Sequence, residues 1–432
     1  MKPRVSLLPG LLLVAACASG RRIPVGSTPA PGVATSLTDG FRTLAPYRVT
    51  AVDSRRIGHA AYWRAVAPSL ASPALSVTPI GTSMLGRELR AVTFGKGSTR
   101  VLLWSQMHGD ESTATMALAD ILAWLADPAA DPLRERLSRA LTITIVPMLN
   151  PDGAERFQRE NAAGIDVNRD ARRLSTPEAR ALKALHDSLK PAFGFNLHDQ
   201  GARTRAGTTG PQAAIALLAP AIDATGRYDA VRSTARRIAA TIARALADSI
   251  PGRVAKYDEG FNPRAFGDLM QTWGTSTVLI ESGALPGDPD KQRLRGMNGA
   301  ALLVALDAIA TSRGASGTSL AYDALPPNSG GAVDLLIRGG MLVLPGQAPF
   351  RADLSLTFDD LLLHTNPRLR EVGDLSAVIA IDTVDASGLF LHPTGETLRT
   401  GPDGAWLPLG GVSRFVIRRS SDPAAAPVRT VP

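Results

Sequence analysis

The stretch Arg100-Val101-Leu102-Leu103-Trp104-Ser105-Gln106-Met107-His108-Gly109-Asp110-Glu111 begins as a short apolar run and ends on an imidazole and a carboxylate three residues apart. A brief continuous apolar run bounded by polar residues predicts a strand buried on both faces. Residues 112–126 follow it with Met116, Leu118, Ile121, Leu122 and Leu125 on one broad face, which predicts a helix. The same pattern recurs along the chain. Apolar runs at Leu141–Val146, 193–197 and 275–280 alternate with helical periodicity at Pro177–Leu189, Ala230–Ala247 and Gln292–Ala310. Strand–helix alternation of this kind predicts an α/β fold, with a mixed, mostly parallel sheet flanked by helices. Polar residues stand at the ends of these runs: His108 and Glu111 after the first, Asn150-Pro151-Asp152-Gly153 after the second, His198 closing the third and Glu281 the fourth. Open α/β sheets bind ligands beyond the carboxyl ends of their strands, so four strands direct chemistry to one edge.

Working outward, the 432 residues are 44% apolar and 20% charged, which suits an ordinary globular protein of about two domains. The net charge of +8 is carried by scattered arginines such as Arg134, Arg136 and Arg139. No basic block interleaved with aromatics occurs, which argues against nucleic-acid binding. At the N-terminus, Lys2 and Arg4 precede an apolar run over 5–16 that is broken by Pro9 and Gly10. That run is too short to span a bilayer and reads as a secretory signal. It ends in Val14-Ala15-Ala16-Cys17, which resembles a bacterial lipobox, so Cys17 is the expected lipid attachment site. Ala18 and Ser19 after it favour a periplasm-facing lipoprotein of the outer membrane over retention at the inner one. The alternative is an ordinary cleaved signal. Cys17 is the single cysteine, which excludes an intramolecular disulfide.

The expected organisation is a signal at 1–17, a Gly/Pro/Ser/Thr-rich tether at 18–44, the α/β domain at 45–314 and a linker at 315–331. A small C-terminal β domain at 332–420 follows, with alternating or apolar runs at 333–337, 341–344, 352–358, 377–384 and 414–418. A Pro/Ala-rich tail at 421–432 reads as disordered.

A catalytic zinc site takes three nitrogen or oxygen ligands from the protein and keeps one position open. His108 and Glu111 can reach one ion from a single turn, and His198, at another strand end, can be brought beside them by the sheet. His59, His186, His364 and His392 read as surface or packing residues.

Together these segments resemble the M14 (carboxypeptidase A-like) zinc metallocarboxypeptidases. They are Ile80-Gly81-Thr82-Ser83 with Gly86-Arg87, His108-Gly109-Asp110-Glu111, Asn150-Pro151-Asp152-Gly153, the run from Arg159 through Asn161, Gly164 and Asp166 to Asn168-Arg169, then His198 and Glu281. The resemblance runs from about residue 45 to 312 and leaves the C-terminal domain uncovered. It implies that His108, Glu111 and His198 ligate one Zn2+ and that Glu281 is the general base toward a zinc-activated water. It assigns Arg159 to the scissile carbonyl, with Arg156 as the competing candidate. Asn168 and Arg169 would grip the terminal carboxylate of a peptide, since a planar guanidinium pairs with a carboxylate bidentately. Asp166 would orient a ligand imidazole, that of His108. Tyr257 would cap the substrate, with Tyr228 as the other candidate. The departures are Asp170 after Asn168-Arg169, expected to weaken carboxylate binding or to pair with Arg172 or Arg173, and Asp199-Gln200 after His198; both look like a bacterial subgroup. Arg264 is either a pocket residue favouring an acidic terminal side chain or a solvated one.

Four functions are in competition. The first is a lipid-anchored carboxypeptidase acting on peptides with a free C-terminal carboxylate. The second is a zinc amidase of peptidoglycan stem peptides. The third is a deacylase of N-acyl amino acids, which the Asn150–Gly153 and Asn168-Arg169 patterns fit less well. The fourth is a non-catalytic peptide-binding lipoprotein whose C-terminal domain meets a partner.

Overall fold

The computed structural model describes residues 36–313, 317–402 and 404–431. The expected signal with Cys17, and the tether up to residue 35, lie outside them. The main sheet contains β1 (Leu75–Thr82), β2 (Glu88–Phe94), β3 (Thr99–Ser105), β4 (Leu141–Val146) and β5 (Phe193–Asp199). After a short β6 (Arg205–Ala206), it is completed by β7 (Ile215–Leu218), β8 (Val254–Lys256) and β9 (Ser276–Ser282). Among the described residues its order is β1-β2-β4-β3-β5-β9-β7-β8. The four central strands β4, β3, β5 and β9 run parallel, while β2 is antiparallel to β4, β1 to β2, and β7 to β9. The four apolar runs are these central strands.

Alternate residues of β3 explain why its run is continuously apolar. Val101 and Leu103 join one core, and Leu102 and Trp104 join another on the opposite face. The helices are α1 (Leu37–Leu44), α2 (His59–Leu70), α3 (Thr113–Ala126), α4 (Pro132–Ala140), α5 (Pro151–Arg156), α6 (Pro177–Leu189), α7 (Ala230–Ala247), α8 (Phe266–Thr272) and α9 (Gln292–Ala310). Helices α3 and α9 bury their apolar residues against the first face, while Leu182 of α6 and Phe266 and Met270 of α8 cover the second.

Three boundaries differ from expectation. The tether ends earlier: α1 is capped by Ser36 and Asp39, and Gly40 lies so close to Ala300 of α9 that a Cβ there would meet its Cα at 2.6 Å. The linker is folded onto the core through a short helix, Leu320–Asp323, and β10 (Asn328–Ser329), which pairs with β6. Tyr322 fixes it: its buried hydroxyl accepts from Ala219 N and donates to Glu259 Oε1, each at 3.1 Å. The tail is a strand.

The C-terminal sheet comprises β11 (Val333–Leu342), β12 (Phe350–Thr357), β13 (Arg368–Gly373), β14 (Ala380–Asp385) and β15 (Phe390–Pro393); after a small hairpin of β16 (Arg399–Gly401) and β17 (Gly404–Trp406), it ends in β18 (Phe415–Arg418) and β19 (Pro427–Val431). Strand β19 pairs with β18, and Val431 is buried opposite Phe415, so apolar burial orders a segment whose composition suggested disorder. The described residues belong to one compact unit, in which this sheet keeps its own core of Leu335, Leu354, Leu391, Phe415 and Ile417. Among the described residues no helix is long and apolar enough to cross a membrane.

Candidate metal centre and active site

Two neighbouring turns hold the candidate ligands. Beyond β3 the chain turns sharply, with Gln106 at φ 51°, and Glu111 N donates to His108 O at 3.2 Å. The turn after β4 buttresses it. Leu149 N and Asn150 N donate to Ser105 O and Gln106 O, and Asn150 Nδ2 reaches both Met107 O and Arg159 O. Gly109 sits against that second turn so tightly that a Cβ would meet Gly153 C at 1.9 Å. The Asn-Pro-Asp-Gly motif is therefore a support for the His-x-x-Glu turn. Its Asp152 binds elsewhere, taking Ser83 Oγ, Leu85 N and Arg87 Nη1. This connects the early Ser83 and Arg87 signals to the same scaffold.

His198 arrives from β5, directly opposite Glu281 of β9 in the parallel register. The side chains of His108, Glu111 and His198 each offer a ligand atom within 4.8 Å of the others. Glu111 bridges them, with Oε1 at 2.8 Å from His108 Nδ1 and Oε2 at 2.6 Å from His198 Nδ1. The two Nδ1 atoms face each other at 3.2 Å. On the outer side of His108, Asp166 Oδ1 accepts from Nε2 at 3.0 Å, which holds a proton on that outer nitrogen and leaves Nδ1 as the inward-facing atom. Asp166 Oδ1 also accepts from Asn168 N.

All three candidate ligands are buried. Burial opposes charge on His108, yet the Glu111 and Asp166 carboxylates push its pKa up to about 9. Burial would raise Glu111, but His108 and His198 hold it well below the usual carboxylate range. Burial drives His198 down. The spot thus attracts positive charge and presents two imidazoles and one carboxylate, a donor set that fits one zinc ion with an open position.

Around the trio lies a cleft of about 1120 Å³ lined by Arg159, Asn168, Arg169, Tyr257 and Glu281 among others. Arg159 donates from Nε and Nη2 to Asp166 Oδ2 at 3.0 and 2.8 Å, and its Nη1 lies 3.3 Å from Glu111 Oε1. Arg156, the competing candidate, is exposed at the end of α5 and does not line the cleft. Asn168 is held on both sides: Oδ1 accepts from Phe266 N at 2.9 Å, and Nδ2 faces His198 Nε2 at 3.4 Å. Arg169 Nη1 donates to Asn168 O at 2.9 Å. Tyr257 is half-buried, and its phenol is pushed up to about 12 by Glu281, then by burial. Tyr228 lies outside the cleft lining, its ring beneath the Arg232 and Arg236 guanidiniums. Glu281 is 7% exposed, and burial together with the nearby Glu111 raises its pKa well above the usual value. The small Ala216 of β7 is its register partner on the other side.

One expectation changes, and the choice left open for Arg264 falls to its solvated alternative. Asp170 neither pairs with Arg172 or Arg173 nor faces a ligand; it is buried, and its carboxylate accepts from Ser175 N and Thr176 N, bracing the start of α6. Arg264 is exposed and does not line the cleft. Asp268 lines it instead, taking Asn262 N at 2.9 Å, with burial raising its pKa to about 6. His186 is also more buried than its polar helix suggests, meeting Thr275 Oγ1 at 3.1 Å.

The sequence reading missed a buried ion pair behind the trio. Lys291 Nζ lies 2.9 Å from Asp199 Oδ2, which also accepts from Thr113 Oγ1 at 2.6 Å. Asp199 N donates to Glu111 Oε2 at 3.1 Å, so this pair anchors the backbone that positions Glu111. Its one sequence signal is the adjacency of Asp199 to His198.

Residues 61–215 match the family model described as zinc carboxypeptidase, peptidase M14. Among relatives, Probable carboxypeptidase 2 of Arthroderma benhamiae is 32% identical over 124 residues, covering 28% of this chain and 22% of that protein. Carboxypeptidase SOL1 of Arabidopsis thaliana is 37% identical over 65 residues, covering 15% and 13%. The chain thus spans about a fifth or less of the length of these relatives. A solved metallo-carboxypeptidase from Burkholderia cenocepacia superposes with a TM-score of 0.47 at 21% identity, over 59% of this chain and 69% of that one. Residues 61–215, which supply His108 and Glu111 as well as His198, are thus the part of this chain that is similar to the M14 zinc carboxypeptidases.

Proposed function

We propose that the protein is a zinc-dependent carboxypeptidase that hydrolyses the C-terminal bond of peptides bearing a free carboxylate. The convergence of His108, Glu111 and His198 beside a buried Glu281 carries this reading. One zinc ion held by that trio would supply a Lewis acid and an acidified water. Glu281 takes the proton of the attacking water and passes it to the leaving amine; its raised pKa suits a group that must both accept and return a proton. Arg159, anchored through Asp166, holds the oxygen on which negative charge develops. Asn168 and Arg169 bind the terminal carboxylate, and Tyr257, protonated at neutral pH, donates a hydrogen bond from the cleft wall. The lipobox-like segment Val14–Cys17, with Cys17 as the lipid site, supports a position at the periplasmic face of the envelope in this proposal.

The test is metal content and peptide turnover in parallel. Purified protein should hold one zinc per chain, and Glu281→Gln should keep that zinc while losing on the order of 10²–10⁴ in kcat. Wild-type turnover in Glu281→Gln would remove the proposed base, and a zinc-free, fully active protein would remove the metal.

A further inference from the structure

The cleft is not walled by the α/β core alone. Asp359, Asp360, Leu361 and Leu362, from the loop after β12 of the C-terminal sheet, line it together with the metal-binding trio. That loop is tied down from two sides. Arg55 forms an ion pair with Asp360, and both side chains are largely buried. Arg203 grips Asp334 of β11 with two bonds, Nε to Oδ1 at 2.6 Å and Nη2 to Oδ2 at 2.8 Å. The same Nη2 donates to Phe358 O at 2.6 Å, immediately before the loop, and Phe358 N donates to Asp334 Oδ2 at 2.6 Å. Within the loop, Asp360 Oδ1 accepts from Leu362 N and Leu363 N. Bidentate guanidinium–carboxylate pairing onto a buried acid fixes direction as well as distance, so this wall is rigid.

Its position follows from the two histidines. Their Nδ1 atoms face Glu111, while the Nε2 atoms face Asp166 and Asn168. Ser112, next to Glu111, donates from Oγ to Arg55 O at 2.6 Å. Arg55 is thereby tied to the residue beside Glu111, whereas Asn168 sits against His198, and Arg55, Asp360, Asn168 and Arg169 all line the one cleft. A peptide whose terminal carboxylate lies at Arg169, and whose scissile carbonyl lies at the trio, sends its preceding residues toward the Arg55–Asp360 pair.

We infer that the Arg55–Asp360 pair and its loop close the upstream end of the cleft, so that the C-terminal sheet selects short peptides over long chains. This rests on the carboxypeptidase reading. No role in the chemical step falls to Arg55 or Asp360; they set substrate length by exclusion.

The experiment compares kcat/KM of the zinc-loaded full chain on two substrates ending in the same two residues, an N-acylated dipeptide and a long unstructured peptide. Wild type should favour the short one. Arg55→Ala and Asp360→Asn should each raise kcat/KM for the long peptide on the order of tenfold and leave the short one unchanged. The exchange Arg55→Asp with Asp360→Arg should return the wild-type ratio, which guards against misreading a folding defect. A ratio that is identical in wild type and both single variants, or a wild type that favours the long peptide, overturns the inference. Absence of turnover on every peptide would instead count against the carboxypeptidase reading. Fluorescence anisotropy of the two labelled peptides on the same proteins then decides the length claim, and equal affinity for both lengths throughout would refute it.

Discussion

Glu111 and Glu281 are both buried carboxylates in one cleft, yet their surroundings pull them apart. Two imidazoles hold Glu111 ionised, while burial and the Glu111 charge push Glu281 toward its protonated form. This separation fits the proposed division of labour, with Glu111 as ligand and Glu281 as proton carrier. Two expectations follow for single residues. Arg169→Ala should raise KM for peptides with a free terminal carboxylate and leave C-terminally amidated ones about unchanged; equal losses on both would end the exopeptidase assignment. Asp166→Asn should weaken zinc binding by roughly 10–100-fold, because the neutral amide is a poorer acceptor for His108 Nε2. Chelator competition reads this directly, and an unchanged affinity would detach Asp166 from the metal site. His108, His198 and Glu281 could be picked out from the sequence because each closes an apolar run. Asp268 and Lys291 could not, since Asp268 lies in a short helix without strong periodicity and the partner of Lys291 is 92 residues away.

Among elements, α8 has the most testable pH response. Asp268 has its carboxyl raised to about 6 by burial, against an ordinary value of 3.8. The folded protein therefore binds the extra proton between these values, and its contribution to stability is full below about pH 4 and is lost as the pH rises through 6. A two-unit rise corresponds to about 2–3 kcal/mol at most. Asp268→Asn should flatten the melting profile between pH 4 and 6 and be relatively more stable at pH 7. A profile that keeps the wild-type slope would place the proton elsewhere. The central strands were readable because both their faces are buried, giving unbroken apolar runs. Strand β1 was not, since Pro79 and Gly81 interrupt its pairing and most of it is exposed. Strand β19 was hidden by its Pro/Ala-rich approach; only Val431 of its side chains is buried. The first two C-terminal runs proved to be one strand, β11, bent by an irregularity between Ile337 and Gly340.

For the whole molecule, contacts distant in sequence decide how the second core meets the first, and no local pattern encodes them. Arg203 and Asp334 are 131 residues apart, and the side chain of Asp334 is fully buried. Arg203→Ala would strand that charge and should cost about 2–3 kcal/mol, below the usual range for a fully buried pair because Arg203 is itself half-exposed. Urea unfolding measures it, and a loss within error would mean that the sheet is held mainly by apolar contact.

The close approach of Gly109 to Gly153 carries one more consequence. Neither turn has room to change shape alone: a methyl group added at residue 109 would drive the two backbones apart and carry His108 and Glu111 with them. Anyone transplanting this candidate metal site to a foreign scaffold would have to move the loop at 106–111 and the one at 149–153 as an inseparable pair, and random mutagenesis should recover glycine at 109 under any selection that demands bound zinc.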